Sequence, residues 1–323
     1  MATRPATKAG SWYVRDPKEL EEQLDEYLGD VPANIDGSAL PVPGARIIIA
    51  PHAGFDYSGP CAAWAYSCLD LSKAKRIFLL GPSHTYYLSG CAVTTFGKYA
   101  TPFGDLVVDR EAIDAVRQAG RFDTIPPQRD ADEHSLEMHT PYIYKTLKKT
   151  FGSPDKFPPI VPILIGDNDR AEEKQAATAF VPYLKDPENA FIISSDFCHW
   201  GAHFNYMVYS PDNDPSNLRN LRRNEPAPVG SPIHETVRLI DEAAMNAVES
   251  GSHDAFVDNL KLTGNTVCGR HPIGVAMAGL EHIRNEQDAK GEGKFKIVQY
   301  QRSQLVKSPR ESSVSYVSAY AVL

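Results

Sequence analysis

The chain has 323 residues, with 33 Lys and Arg against 41 Asp and Glu, a formal net charge of −8, and 42% hydrophobic and 23% charged residues. That length is ample for a full core, the composition is that of an ordinary globular protein, and the acidic balance excludes non-specific nucleic-acid binding, which needs a basic surface. Five cysteines without CxxC spacing predict reduced thiols, and with neither a signal-peptide core nor an apolar run near the ~20 residues of a membrane span, the expected compartment is the cytoplasm or nucleus.

The first predicted element is a helix, "DPKELEEQLDEYL", with Asp16 as N-cap, Pro17 in the first turn and Leu20, Leu24 and Leu28 on one face. The strand "RIIIA" (46–50) follows and runs into "PHAGFDYSG", with His52 two residues past its end. "RIFLLG" (76–81) runs likewise into "PSHTYYLSG" and His84, and "CAVTTF" (91–96) is a third strand. A helix runs from cap Asp109 to a stop at Gly120. Another begins near Glu133 in "DADEHSLEMHTPYIYK"; its His134 and His139 are five apart, so this is not an HExxH metal motif. Glu133 reads as the acidic start of that helix, and His134 and Glu137 as secondary pocket residues.

Strands "IVPILIG" (160–166) and "FIISS" (191–195) come next, the latter leading into "DFCHWG" with Asp196 and His199. Helices are expected from near Arg170, Ile233, Ser252 and Pro272, and the last strands are "FKIVQYQ" (295–301) and "VSYVSAYAV" (314–322). A polar, Pro- and Asn-rich insertion at about 210–232 reads as a surface loop. Continuous apolar strands alternating with helices predict a single α/β domain over residues 1–323, a three-layer α/β/α sandwich around a central mostly parallel or mixed sheet.

In such sheets ligands bind beyond the carboxyl ends of the strands. His52, His84, Asp196 and His199 all follow strands directly, so parallel neighbours would bring them to one edge. "TVCGRHPIG" adds Cys268 before the helix expected at Pro272, where the helix N-terminus and Arg270 would lower the thiol's pKa. Alternation puts Asp196 and His199 on opposite faces of a continuing strand, so a shared pocket requires the backbone to bend between them. Cys198 then turns away and is a bystander.

The motifs "AGSWY", "APHAGFDYSG", "GPSH", "TPFGDL", "DEHSLEMHTPY", "SSDFCHWG" and "NTVCGRHPIG", in this order from about Ala9 to near the C-terminus, together resemble the Memo family, named for mediating receptor-driven cell motility. The resemblance implies a fold like that of class III extradiol dioxygenases, which hold non-haem Fe(II) with two His and a carboxylate. It implies a metal site of His52, His84 and Cys268, with cysteine where the dioxygenase has its carboxylate. Asp196 and His199 match the remaining polar positions, His199 that of the acid/base histidine. Thiolate softens the donor set towards iron or copper, with zinc also suited.

Three functions remain open at this point. A metal-dependent redox protein would act on a small molecule or dioxygen. A non-catalytic adaptor in motility signalling would take a receptor phosphotyrosine peptide in the cleft, between Trp12, Phe55, Tyr57, Tyr86 and Trp200, with Arg270 towards the phosphate. A hydrolase with Cys268 as nucleophile would need a metal-free thiolate.

Overall fold

Apolar runs that are buried along their whole length form the middle of one nine-stranded sheet. The computed structural model describes residues 1–35, 37–287 and 293–323. Its central strands are β1 (Ile47–Ala50), β2 (Arg76–Pro82), β3 (Cys91–Val93), β4 (Asp123–Thr124), β5 (Ile160–Ile165), β6 (Asn189–Ser194), β7 (Asp196–Trp200), β8 (Phe295–Arg302) and β9 (Ser313–Ala321). Their order is β7-β9-β1-β6-β2-β5-β3-β4, with β8 along the other side of β9. Strands β1, β6, β2 and β5 are mutually parallel. Strand β9 is antiparallel to β1, β7 and β8, and β3 is antiparallel to β5, so the sheet is mixed.

Ile47, Ile48 and Ile49 have no exposed surface although successive side chains point to opposite faces. Both faces are therefore covered, as the continuous apolar pattern requires. The covering helices are α1 (Pro17–Gly29), α2 (Phe55–Cys68), α3 (Arg110–Gly120), α4 (Thr140–Phe151), α5 (Arg170–Ala177), α6 (Ile233–Ser250), α7 (His253–Thr263) and α8 (Arg270–Gln287). The result is a three-layer α/β/α sandwich, as the alternation predicts. Asp16 caps α1 through the amides of Lys18 and Glu19, and Asp109 caps α3 through that of Ala112.

Helix α2 has no counterpart among the expected helices, and it carries Gly59 and Pro60 inside. Gly59 is where α1 crosses: a Cβ there would meet the Tyr27 ring at 2.5 Å. Helix α8 starts at Arg270, two residues before the expected Pro272. A separate core lies beneath the C-terminal half of β7, where Cys198 and Trp200 pack with Tyr206, Tyr209, Val237 and Ile240. The polar stretch 210–232 borders it. That stretch is tied down at Leu221, which is buried, and by a hydrogen bond from the Tyr209 hydroxyl to the Ser231 carbonyl at 3.0 Å. No helix among the described residues is long and apolar enough to cross a membrane, and none of the five cysteines is in a disulfide.

Candidate metal centre

Strands β1, β6 and β2 are parallel neighbours, so their carboxyl ends open on one edge of the sheet. His52 follows β1, Asp196 follows β6 and His84 follows β2. Cys268 arrives from the start of α8, where its amide donates to the Asp196 carbonyl at 3.3 Å. Ligand atoms of His52, His84 and Cys268 lie within 4.8 Å of one another, and so do those of Asp196, His199 and Cys268. The His52 Nε2 to Cys268 Sγ distance is 3.3 Å.

Each imidazole is held by its Nδ1. The Ser194 hydroxyl donates to the Ser135 carbonyl at 2.8 Å, which uses its one proton. Its oxygen, 2.6 Å from His52 Nδ1, must therefore accept, and His52 carries its proton on Nδ1. His84 Nδ1 donates to Glu133 Oε1 at 3.0 Å. His199 Nδ1 faces the carbonyls of Phe197 at 2.8 Å and Thr266 at 3.1 Å, which only accept. All three rings thus keep Nε2 as the ligand atom, the arrangement of metal-binding histidines whose other nitrogen is hydrogen-bonded.

The electrostatics differ from ring to ring. Burial, then the neighbouring imidazoles, push His52 well below its ordinary value, so it is neutral. Burial also acts to lower His84, but its hydrogen bonds to Cys268 and Glu133 outweigh this and lift it to about 10. His134 lies flat on His84, with ring centroids 4.3 Å apart, and burial and the His84 charge lower it to about 3. Burial pushes the Cys268 thiol up, against the pull of His84. The expected lowering by Arg270 and the helix N-terminus is thus overturned, because Arg270 is an exposed side chain and the thiol is desolvated.

The bend required between Asp196 and His199 is present. Asp196 pairs with Tyr316 but His199 with Val314, three residues against two, which is a bulge. The extra residue reverses the alternation and lets both side chains approach Cys268. Cys198 is buried on the far side in the second core, as expected of a bystander. Two predicted cleft aromatics are also core residues. Phe55 is 2% exposed against Tyr13 and Tyr142, and Trp200 is fully buried with its indole N–H on the Val208 carbonyl. Neither offers surface to a ligand, because large aromatics near strand ends fill the core as readily as they line a pocket. Trp12 does reach the site, its ring centroid 4.5 Å from that of His134 and tilted to it by 37°, while Tyr57 is exposed and Tyr86 is half-buried beside Cys268.

Glu137 is not a pocket residue. It is fully buried and accepts from the Arg4 guanidinium (2.7 Å), the Lys8 amide (2.7 Å) and the Tyr13 hydroxyl (2.9 Å). It anchors the N-terminal segment that carries Trp12. Glu133 fits the helix-start reading, accepting from the amides of His134 and Ser135, and it orients His84 as well. Sequence reasoning missed Ser194, Thr266 and this second role of Glu133, since nothing local marks a residue that acts on a side chain distant in sequence.

The family model described as Memo-like protein matches residues 4–320. The protein memo-1 homolog of Caenorhabditis elegans is 38% identical over 98% of this chain and 81% of its own length. Human protein MEMO1 is 36% identical over 98% of this chain and 97% of its own length. A MEMO1 family protein of Schizosaccharomyces pombe is 38% identical over 99% of both chains. Matches that run almost end to end, across animals and a fungus, take in every element that builds this site, and the chain belongs to the Memo family.

Proposed function

We propose that this protein binds a redox-active transition metal, iron or copper, through His52, His84 and Cys268, and serves an oxidative reaction at that site. The observation that carries the reading is the restraint of the rings: His52, His84 and His199 are each fixed through Nδ1 by Ser194, Glu133 and backbone carbonyls, with Nε2 left as the ligand atom beside a thiol. Two imidazoles and a sulfur are donors that suit iron, copper and zinc. When bound, the metal would supply one-electron chemistry and a place for dioxygen or a small molecule.

The protein's own residues do the rest. His199 takes or returns a proton at Nε2, since Nδ1 is committed to carbonyls. Asp196 accepts the His52 amide proton at 2.8 Å and stands 3.9 Å from His52 Nε2. Burial raises its pKa, against the lowering pull of His199 and the His52 amide. Trp12 and His134 cover His84 and limit water at the mouth.

The test is elemental analysis of protein purified without chelator or affinity metal. The wild type should carry stoichiometric metal and the variant His52→Ala/Cys268→Ser none. Equal metal in both removes the proposal. An adaptor binding phosphotyrosine peptides in the same cleft is the second reading, and it keeps Trp12, Tyr57 and Tyr86, which retain exposed ring surface. Equal affinity for phosphorylated and unphosphorylated peptides would sink it.

A further inference from the structure

A second cavity, of about 410 Å³, lies between α7 and the start of α8. Val257 and Leu260, over the fully buried Phe256, give it an apolar side, and Lys261, Arg270 and His271 line it too. The charges around it are unevenly matched. Asp169 caps α5, Glu173 holds His253 and His271 at 2.6 and 2.7 Å, and Arg170 pairs with Asp254 and Asp258. Lys261 and Arg270 have no ion pair or side-chain hydrogen bond among the described residues, in a chain whose net charge is −8.

The lining also holds one buried polar atom that the protein does not satisfy. Asn265 is 4% exposed; its amide nitrogen donates to Asp241 Oδ1 at 3.0 Å, and its Oδ1 has no hydrogen bond. His271 donates from Nδ1 to Glu173, and its Nε2 stands 3.4 Å from Asp167 Oδ1. A buried acceptor without a partner is rare in native proteins, and Asn265 Oδ1 can be met only by a donor and not by the oxygens of an anion.

The cavity touches the metal centre in two places. Thr266 lines it and holds His199: the His199 amide donates to Thr266 Oγ1 at 2.7 Å, and its ring to the Thr266 carbonyl. Arg270 and His271 also line a smaller cavity of about 120 Å³ whose other walls include Cys268 and Tyr86.

We propose that the cavity between α7 and α8 binds a small organic anion, its apolar body against Val257 and Leu260 and its carboxylate or phosphate on Lys261 and Arg270. The size suits a single-ring acid, and an unpaired guanidinium beside an apolar wall recognises such a ligand by charge-assisted hydrogen bonds. That this anion is the substrate rests on the metal reading; that it binds does not.

The experiment uses metal-free full-length protein and follows backbone amide resonances of Val257, Leu260 and Thr266 while benzoate, phenyl phosphate or neutral benzamide is titrated. Ligands of this size bind in the millimolar range. Benzoate or phenyl phosphate should shift these resonances saturably, and the stronger of the two names the anion class. Benzamide and the exposed-residue variant Lys261→Ala/Arg270→Ala should each show binding at least about tenfold weaker, the effect of losing a charge-assisted pair. Wild-type protein that carries no metal by elemental analysis as purified, yet binds benzoate as expected, refutes the metal reading alone. Equal binding of benzamide and benzoate, unchanged binding in the double variant, or no saturable shift with either anion would overturn the proposal.

Discussion

Replacing Glu133 by Gln tests whether a buried carboxylate holds His84 in place. Oε1 accepts from the amides of His134 and Ser135, both at 2.9 Å, and from His84 Nδ1 at 3.0 Å. Oε2 accepts from the amides of His84 at 2.6 Å and Thr85 at 3.3 Å. A glutamine must point its NH2 at one of these sets, so at least two buried donors would face a donor. At about 1–3 kcal/mol each, the metal-free protein should lose about 2–6 kcal/mol. The pH dependence adds an independent check. Burial raises Glu133, but His84 more than offsets this and brings it from 4.5 to about 2. The folded value is depressed, so the stabilisation is present above about pH 4.5 and lost as pH falls towards about 2; its size is about 3 kcal/mol. Urea unfolding of wild type and Glu133→Gln at a series of pH values should therefore show a gap that narrows below about pH 4.5. Metal affinity, read by chelator competition, should fall about 10–100-fold, as for other residues that orient a ligand histidine. A gap constant with pH together with unchanged affinity would refute the reasoning.

Ser194→Ala removes the acceptor that fixes His52 and leaves the Ser135 carbonyl unpaired; metal affinity should drop about tenfold with about 1–3 kcal/mol lost in thermal unfolding. Gly269→Ala puts a Cβ into the Ser194 carbonyl and the Ser195 side chain, so the start of α8 must move with Cys268; we expect a cost of about 1–3 kcal/mol and weaker metal binding, and wild-type affinity would show that Cys268 is not a ligand. Arg4→Met strands the buried carboxylates Asp130 and Glu137; unfolding should cost about 3–5 kcal/mol, and limited proteolysis should cut the first fifteen residues sooner than in wild type.

The parts of this fold that sequence made legible are those whose cause is local. The buried strands read as unbroken apolar runs because both faces are covered, and α1 and α3 read from their Asp caps. Helix α2 did not, because Gly59 is there for the crossing with α1, and Gly59 and Pro60 are both poor helix formers. The strand-end histidines were visible because a parallel sheet sends its carboxyl ends to one edge. The residues that hold them were not, because a serine in the strand "FIISS" looks like any strand-end serine until Ser135 is seen to take its proton.

How tightly each ring is held follows from the element that holds it. Ser194 sits in β6, Glu133 in the turn before residues 134–137, and Thr266 just before α8, so the three supports belong to three different parts of the chain. The bulge in β7 supplies the remaining freedom, for without the extra residue Asp196 and His199 would face opposite ways. His84 is the exception in exposure: its side chain is 28% exposed, and its outer face is covered by His134 and, beyond that, Trp12. Trp12 in turn is placed by an N-terminal segment with little regular structure, docked through Arg4 onto Glu137 and Asp130. The inner wall of the site is therefore fixed by the sheet, and the outer wall by a buried ion pair whose partners are more than a hundred residues apart in sequence. Loosening that pair should disturb the His84 side of the site before the His52 side.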